Sequence, residues 1–132
     1  MSNAQFIANV DAWIDATQEE LLEKTQLIIL ETFTRVIYRT PVLTGRLRGS
    51  WQLGVNSEPA GGKKPDDPQG SVTVTFTATA VEQMQLGDMM YFYNHQPYAA
   101  KMEYGGSKKA PRGMVRVTLR EIQAIVNEVV GA

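Results

Sequence analysis

A chain of 132 residues, 43% hydrophobic and 20% charged, has room for one domain around one core and not for two comfortable ones. A net charge of −1 gives the whole molecule no attraction for a polyanion, and the lack of cysteine excludes disulfides, thiolate catalysis and cysteine-based metal sites. The aliphatic run Leu27-Ile28-Ile29-Leu30 is far short of the roughly 20 residues a membrane span requires, and no basic-then-apolar signal peptide opens the chain, so no membrane contact and a cytosolic origin are expected.

The charge is unevenly spread. Residues 1–40 carry Asp11, Asp15, Glu19, Glu20, Glu23 and Glu31 against Lys24, Arg35 and Arg39. Residues 106–132 carry Lys108, Lys109, Arg112, Arg116 and Arg120 against Glu121 and Glu128. An acidic front and a basic back attract each other, within one subunit or between neighbours. Head-to-tail contacts of that heterologous kind close into rings when the rotation allows it.

Residues 6–39 read as a long helix, free of Gly and Pro and ended by Pro41. Thr17 with Glu20 resembles a capping box, which predicts a break near Ala16. Leu22, Ile29, Phe33 and Val36 recur at helical spacing. Leu27 to Leu30 covers every side of one turn, which suggests burial on one side by the subunit's own sheet and on another by a neighbour, or a central helix wrapped within the monomer. Residues 40–50 leave the helix, and Leu47 to Val55 is expected as a strand. Residues 57–70 hold three Pro and three Gly and predict a long flexible loop without packing. In Ser71 to Ala80, Val72, Val74, Phe76 and Ala78 alternate with Thr73, Thr75, Thr77 and Thr79, the period of a strand. Residues 81–88 are ambiguous, and Met89 to Asn94 reads as a further strand. A short helical piece, Tyr98 to Tyr104, is closed by Gly105-Gly106, and Ser107 to Gly113 is a basic loop. Met114 to Val130 predicts a helix whose buried stripe is Val115, Leu119, Ile122, Val126 and Val129. The expected class is α+β: a single domain over 1–132, with a long N-terminal helix, a small mainly antiparallel sheet of three to four strands, and a C-terminal helix packed on the sheet.

Little in the sequence carries catalytic chemistry. His95 is the one histidine and has no nucleophile or orienting carboxylate near it in sequence, so a turn or surface role is expected. Asp66-Asp67 lacks the spacing of a calcium loop. Gly61-Gly62-Lys63-Lys64 fails as a phosphate loop, because Ser57 stands where the first glycine belongs and Lys64 where Ser or Thr would bind magnesium. No cofactor or metal is expected. Arg46 and Arg48, two apart on the expected strand and close to Trp51, point to one face. They suit salt bridges to a neighbour or a DNA-lined channel better than base recognition.

Three ordered segments resemble one family. Thr40-Pro41-Val42-Leu43-Thr44-Gly45-Arg46-Leu47-Arg48-Gly49-Ser50-Trp51 is similar to the segment that follows the first long helix in phage tail-component proteins of the lambdoid gene-product-ten type. Tyr98-Ala99-Ala100-Lys101-Met102-Glu103-Tyr104-Gly105-Gly106 resembles that family's Y-A-x-x-x-E-x-G segment, and Ala110-Pro111-Arg112-Gly113-Met114 resembles the lead-in to its last helix. Leu43 departs from the small or acidic residue many members carry there, and the Pro-rich loop is long.

The resemblance implies a non-enzymatic virion subunit that forms a ring of six or twelve copies at the head–tail junction, as a tail-completion, tail-terminator or neck protein. Assembly would take place in the host cytoplasm, against other neck and tail proteins and near packaged DNA. The expected interface residues are Leu27, Leu30, Thr44, Arg46, Arg48, Trp51, Tyr98, Glu103, Tyr104 and Arg112, with Glu103 placed to pair with Arg46 or Arg48. A small nucleic-acid-binding regulator using Arg46, Arg48 and the Lys108–Arg120 region is the second reading, and an enzyme using His95 the third.

Overall fold

The computed structural model describes residues 2–62 and 64–131; Lys63 of the rejected phosphate-loop comparison lies outside the described residues. One helix, α1 (Asn3–Arg39), runs unbroken for 37 residues. The Ser2 hydroxyl caps it by accepting from Gln5 N–H at 3.1 Å. The break expected near Ala16 is absent. Thr17 does not cap a new helix but donates its hydroxyl to Trp13 C=O at 2.8 Å, and Thr25, Thr32 and Thr40 make the same bond four residues back. A hydroxyl satisfied inside its own helix lets threonine sit mid-helix.

The chain leaves α1 through Pro41 and turns on Gly45 into α2 (Arg46–Gly49), a single turn where a strand was expected. Gly45 has φ +91°, and its carbonyl accepts from both Gly49 N–H and Asp67 N–H, at 2.8 and 2.9 Å. A Cβ there would collide with the backbone of Asp67 and Pro68, so the position requires glycine. Strand β1 (Trp51–Val55) follows and pairs antiparallel with β2 (Met90–Asn94), Trp51 opposite Asn94 and Val55 opposite Met90. The sheet has two strands where three to four were expected.

The missing strand is a helix, α3 (Ser71–Glu82). Its buried residues are Thr73, Thr77 and Val81, four apart, continued by buried Met84 in the following turn, while Val72 and Phe76 of the alternating pattern are exposed. Asp67 fixes its start: the carboxylate accepts from Thr73 N–H and Thr73 hydroxyl at 2.8 and 2.7 Å and from Gly70 N–H at 3.1 Å. Thr75, Thr77 and Thr79 each bond the carbonyl four residues back. Period-two patterning lost because these local bonds and the Asp67 cap satisfy the polar groups in helical form.

The described residues of 57–70 form a loop, but one that packs. Asp67 is buried, and Gly61 exchanges two hydrogen bonds with the Gln52 side chain. The chain ends in α4 (Ala99–Glu103), α5 (Val115–Leu119) and α6 (Ile122–Val130). The last helix is thus split: Glu121 N–H bonds Thr118 C=O three residues back, which tightens the turn. Met114, Thr118 and Ile125 are fully buried, whereas Leu119 and Ile122 of the expected stripe are exposed. The split rotates the stripe. α5 and α6 pack chiefly on α1 and not on the sheet. Ion pairs follow that contact, Arg35 to Glu121 and Glu128 at 3.3 Å each, and Arg39 to Glu121.

The fold is α+β, with its core at the C-terminal end of α1. Val36, Ile37, Leu47, Trp51, Ala110 and Met114 form one buried cluster. Phe92 of β2 is stacked between Phe33 of α1 and Trp51 of β1, with centroids 4.2 and 4.6 Å apart. Trp51 Nε1 donates to the fully buried Thr40 Oγ1 at 2.8 Å, so the indole is satisfied as well as packed.

Candidate functional site

Two surfaces stand out, at opposite ends of α1. The first is the helix's own N-terminal half. Every residue from Ser2 to Leu21 is exposed, and the body first comes alongside at Asp15 to Leu22, through Gln85 and Leu86. Phe6, Ile7, Val10, Trp13, Ile14 and Leu21 all lie in this bare stretch, Phe6 57% and Trp13 68% exposed. At about 100° per residue these six fall within a stripe about 120° wide. The same stretch holds Asp11, Asp15, Glu19 and Glu20, with Glu23 just beyond it, and no Lys or Arg precedes Lys24. A contiguous apolar stripe left in water marks a surface that another molecule covers.

The second surface is a groove of about 600 Å³ just past the C-terminal end of α1. Its apolar walls are Pro41, Val42, Leu43, Leu47, Tyr98 and Met102, and Arg46 and Lys109 stand on its rim. Leu43 is 97% exposed and Tyr104, on the next turn after α4, 74%. Lys109 Nζ donates to Val42 C=O at 3.0 Å, which holds the basic loop against the groove.

The residues expected at an interface divide between these surfaces and the interior. Tyr98, Thr44 and Arg46 line the groove, and Tyr104 and Arg112 are exposed near it. Arg46 lies 3.9 Å from Asp66. Leu27 is half exposed and Leu30 partly covered, so that turn of α1 is neither fully buried nor free. Arg48 does not share a face with Arg46, because on a helix two residues apart diverge. Its guanidinium donates instead to Tyr38 C=O (3.0 Å), Thr40 C=O (2.9 Å) and Pro68 C=O (2.8 Å). A cation thereby satisfies carbonyls that α1 leaves unpaired at its C-terminus and ties the 57–70 loop to them. Trp51 is a core residue.

Glu103 pairs with neither Arg46 nor Arg48. Its carboxylate accepts from the N–H groups of Met114, Val115 and Arg116 at 2.7 to 3.2 Å and from Arg116 Nε at 2.9 Å, at the start of α5. Burial opposes its ionisation, but the bonds from Val115, Met114 and Arg116 outweigh it and hold the pKa below the ordinary 4.5. Gly113 has φ +87°, and a Cβ there would strike this carboxylate, so the position requires glycine.

No protein-family model, curated protein or solved structure matches the chain. The chemistry must therefore be read from the side chains. His95 packs against Tyr93 at the end of β2. Among the described residues no group of three His, Asp or Glu side chains is placed to hold a metal, and no helix is long and apolar enough to cross a membrane.

The bare stripe on α1 was not singled out from sequence, although its spacing is legible there: Ile7, Val10, Ile14 and Leu21 fall on a seven-residue repeat. Thr44, Arg46 and Tyr98 of the groove are among the residues expected at an interface, but the groove itself is not legible in the sequence. Its walls come from two segments more than fifty residues apart and no local pattern joins them.

Proposed function

We propose that this chain is a structural subunit of a tailed-bacteriophage virion, one copy in a ring at the head–tail junction, acting as a tail-completion, tail-terminator or neck protein. The observation that carries the reading is the bare apolar stripe of α1. A helix that buries its C-terminal half in its own core and leaves Phe6, Val10 and Trp13 in water is built to finish its packing on another molecule. The resemblance of the Thr40–Trp51, Tyr98–Gly106 and Ala110–Met114 segments to the phage family supplies the setting, and six or twelve copies the expected stoichiometry. Other neck and tail proteins, with packaged DNA nearby, complete it.

Particles assembled without this protein should accumulate as filled heads lacking tails, and the purified full chain mixed with connector or tail-tube protein should form rings by negative-stain microscopy. Normal tailed particles in its absence would overturn the reading. A gel-shift series in rising salt tests the competing role: tight, salt-sensitive DNA binding by the isolated chain would favour a nucleic-acid-binding regulator.

A further inference from the structure

We propose that the groove walled by Leu43, Tyr98 and Met102 receives the N-terminal half of α1 from a second copy of the chain, so that each junction in the assembly is helix into groove. The inference rests on the ring reading and names the contact that builds it.

The charges point to this pairing. Internal ion pairs consume the minority charges of each segment: Arg35 and Arg39 of the acidic front meet Glu121 and Glu128 of the basic back. What remains is one-signed at each end. Asp11, Asp15, Glu19 and Glu23 have no ion pair among the described residues, and neither do Lys109, which lines the groove, Lys108 and Lys101, sequence neighbours of the lining residues Lys109 and Met102, and Arg112, further along the same loop. Glu103, the acid of α4, is turned away into the start of α5 and leaves the groove side basic. On the helix, Asp11 and Asp15 run along the edge of the stripe beside Ile7 and Ile14, where a basic rim would meet them.

Shape agrees. The groove has room for more than one aromatic side chain, and Phe6 and Trp13 lie on one face about two turns apart. The helix cannot fill its own subunit's groove, since α1 is unbroken and about 55 Å long and the two surfaces lie at its opposite ends. A second copy resolves both vacancies at once, and the contact is heterologous, the type that closes into rings. Pairing the bare helices with each other would instead bring acids together with no base among them.

Charge reversal tests this on the full chain. Lys108→Glu with Lys109→Glu makes the groove side acidic, and Asp11→Lys with Asp15→Lys makes the helix basic. All four residues are exposed, and circular dichroism confirms each fold. By sedimentation velocity, each double variant alone should associate at least tenfold more weakly than wild type. A 1:1 mixture should recover association, because every junction then joins opposite charges. Raised salt should weaken the wild-type contact. If the groove variant assembles as wild type while the helix variant does not, the ring reading stands and the groove is wrong, with helix-to-helix pairing or another phage protein as the occupant. If wild type fails to associate at any concentration, alone or with connector, both readings fall.

Discussion

The two halves of α1 are made of similar residues and meet opposite fates. In the second half Phe33, partly buried, stacks on Phe92, and Val36 is buried in a cluster with Leu47 and Met114. Phe6 and Trp13 in the first half meet nothing but water. Helix propensity does not separate the halves, and neither does apolar content. The difference is what lies across from them: the chain that follows α1 folds against the second half, while among the described residues only Gln85 and Leu86 come alongside the first, at its inner end. A rigid helix longer than its domain can carry one face as core and another as contact surface.

The packed half should break first and most. Trp51→Ala removes the ring that Phe92 leans on and the indole N–H that the buried Thr40 hydroxyl accepts, and should cost about 3–5 kcal/mol in a chemical-denaturation measurement. Trp51→Phe keeps most of the stack and should cost distinctly less. Arg48→Met comes next. It leaves Tyr38, Thr40 and Pro68 carbonyls without their charged donor and should cost about 2–3 kcal/mol, with Arg48→Lys recovering only part, because an ammonium lacks the guanidinium fork.

That ranking bears on how much could be read from the sequence. The long helix, β2, α4 and the α+β class were legible because periodicity and Gly/Pro punctuation agreed there. Ser71 to Ala80 was misread because two periods fit it at once: Val72, Val74, Phe76 and Ala78 alternate, while Thr73, Thr77, Val81 and Met84 repeat as a helix face. What decided between them was Asp67, six residues before Thr73, reaching forward as a cap from a loop expected to pack against nothing. Reading α2 as a strand then put Arg46 and Arg48 on one face, and an internal capping residue was taken for a contact residue. Of the candidate site, Tyr98, Thr44 and Arg46 were expected at an interface and line the groove, but the groove itself was not legible, since its walls come from segments far apart in sequence. The bare stripe was present as a pattern, but sequence alone does not show which apolar helix face stays uncovered.

Glu103 offers a smaller effect with a pH signature. Its folded pKa lies below the ordinary 4.5, so the stability it contributes is fully present above that value and is lost as pH falls from there through the folded pKa. Glu103→Gln should cost about 1.5 kcal/mol at neutral pH. It should also flatten the decline of stability between about pH 5 and pH 3 in denaturation curves taken across that range. A decline as steep as wild type would mean the acid sensitivity comes from elsewhere, with Glu121, held below its ordinary pKa by hydrogen bonding to Arg39, the next carboxylate to test.

The smallest expected effect is the most informative about the comparison. Phe6→Ser combined with Trp13→Ser deletes two aromatic rings from the same helix that holds Phe33, yet neither ring touches the body. The unfolding free energy of the dilute chain should therefore move by less than about 0.5 kcal/mol, the range of ordinary surface changes, whereas Phe33→Ala should cost about 3 kcal/mol. If the Ser pair destabilises the dilute monomer as Phe33→Ala does, the first half of α1 is core that folds back on its own subunit, and the distinction between the halves fails. If the unfolding free energy holds while association of the chain is lost, the same helix is a structural beam at one end and a contact arm at the other.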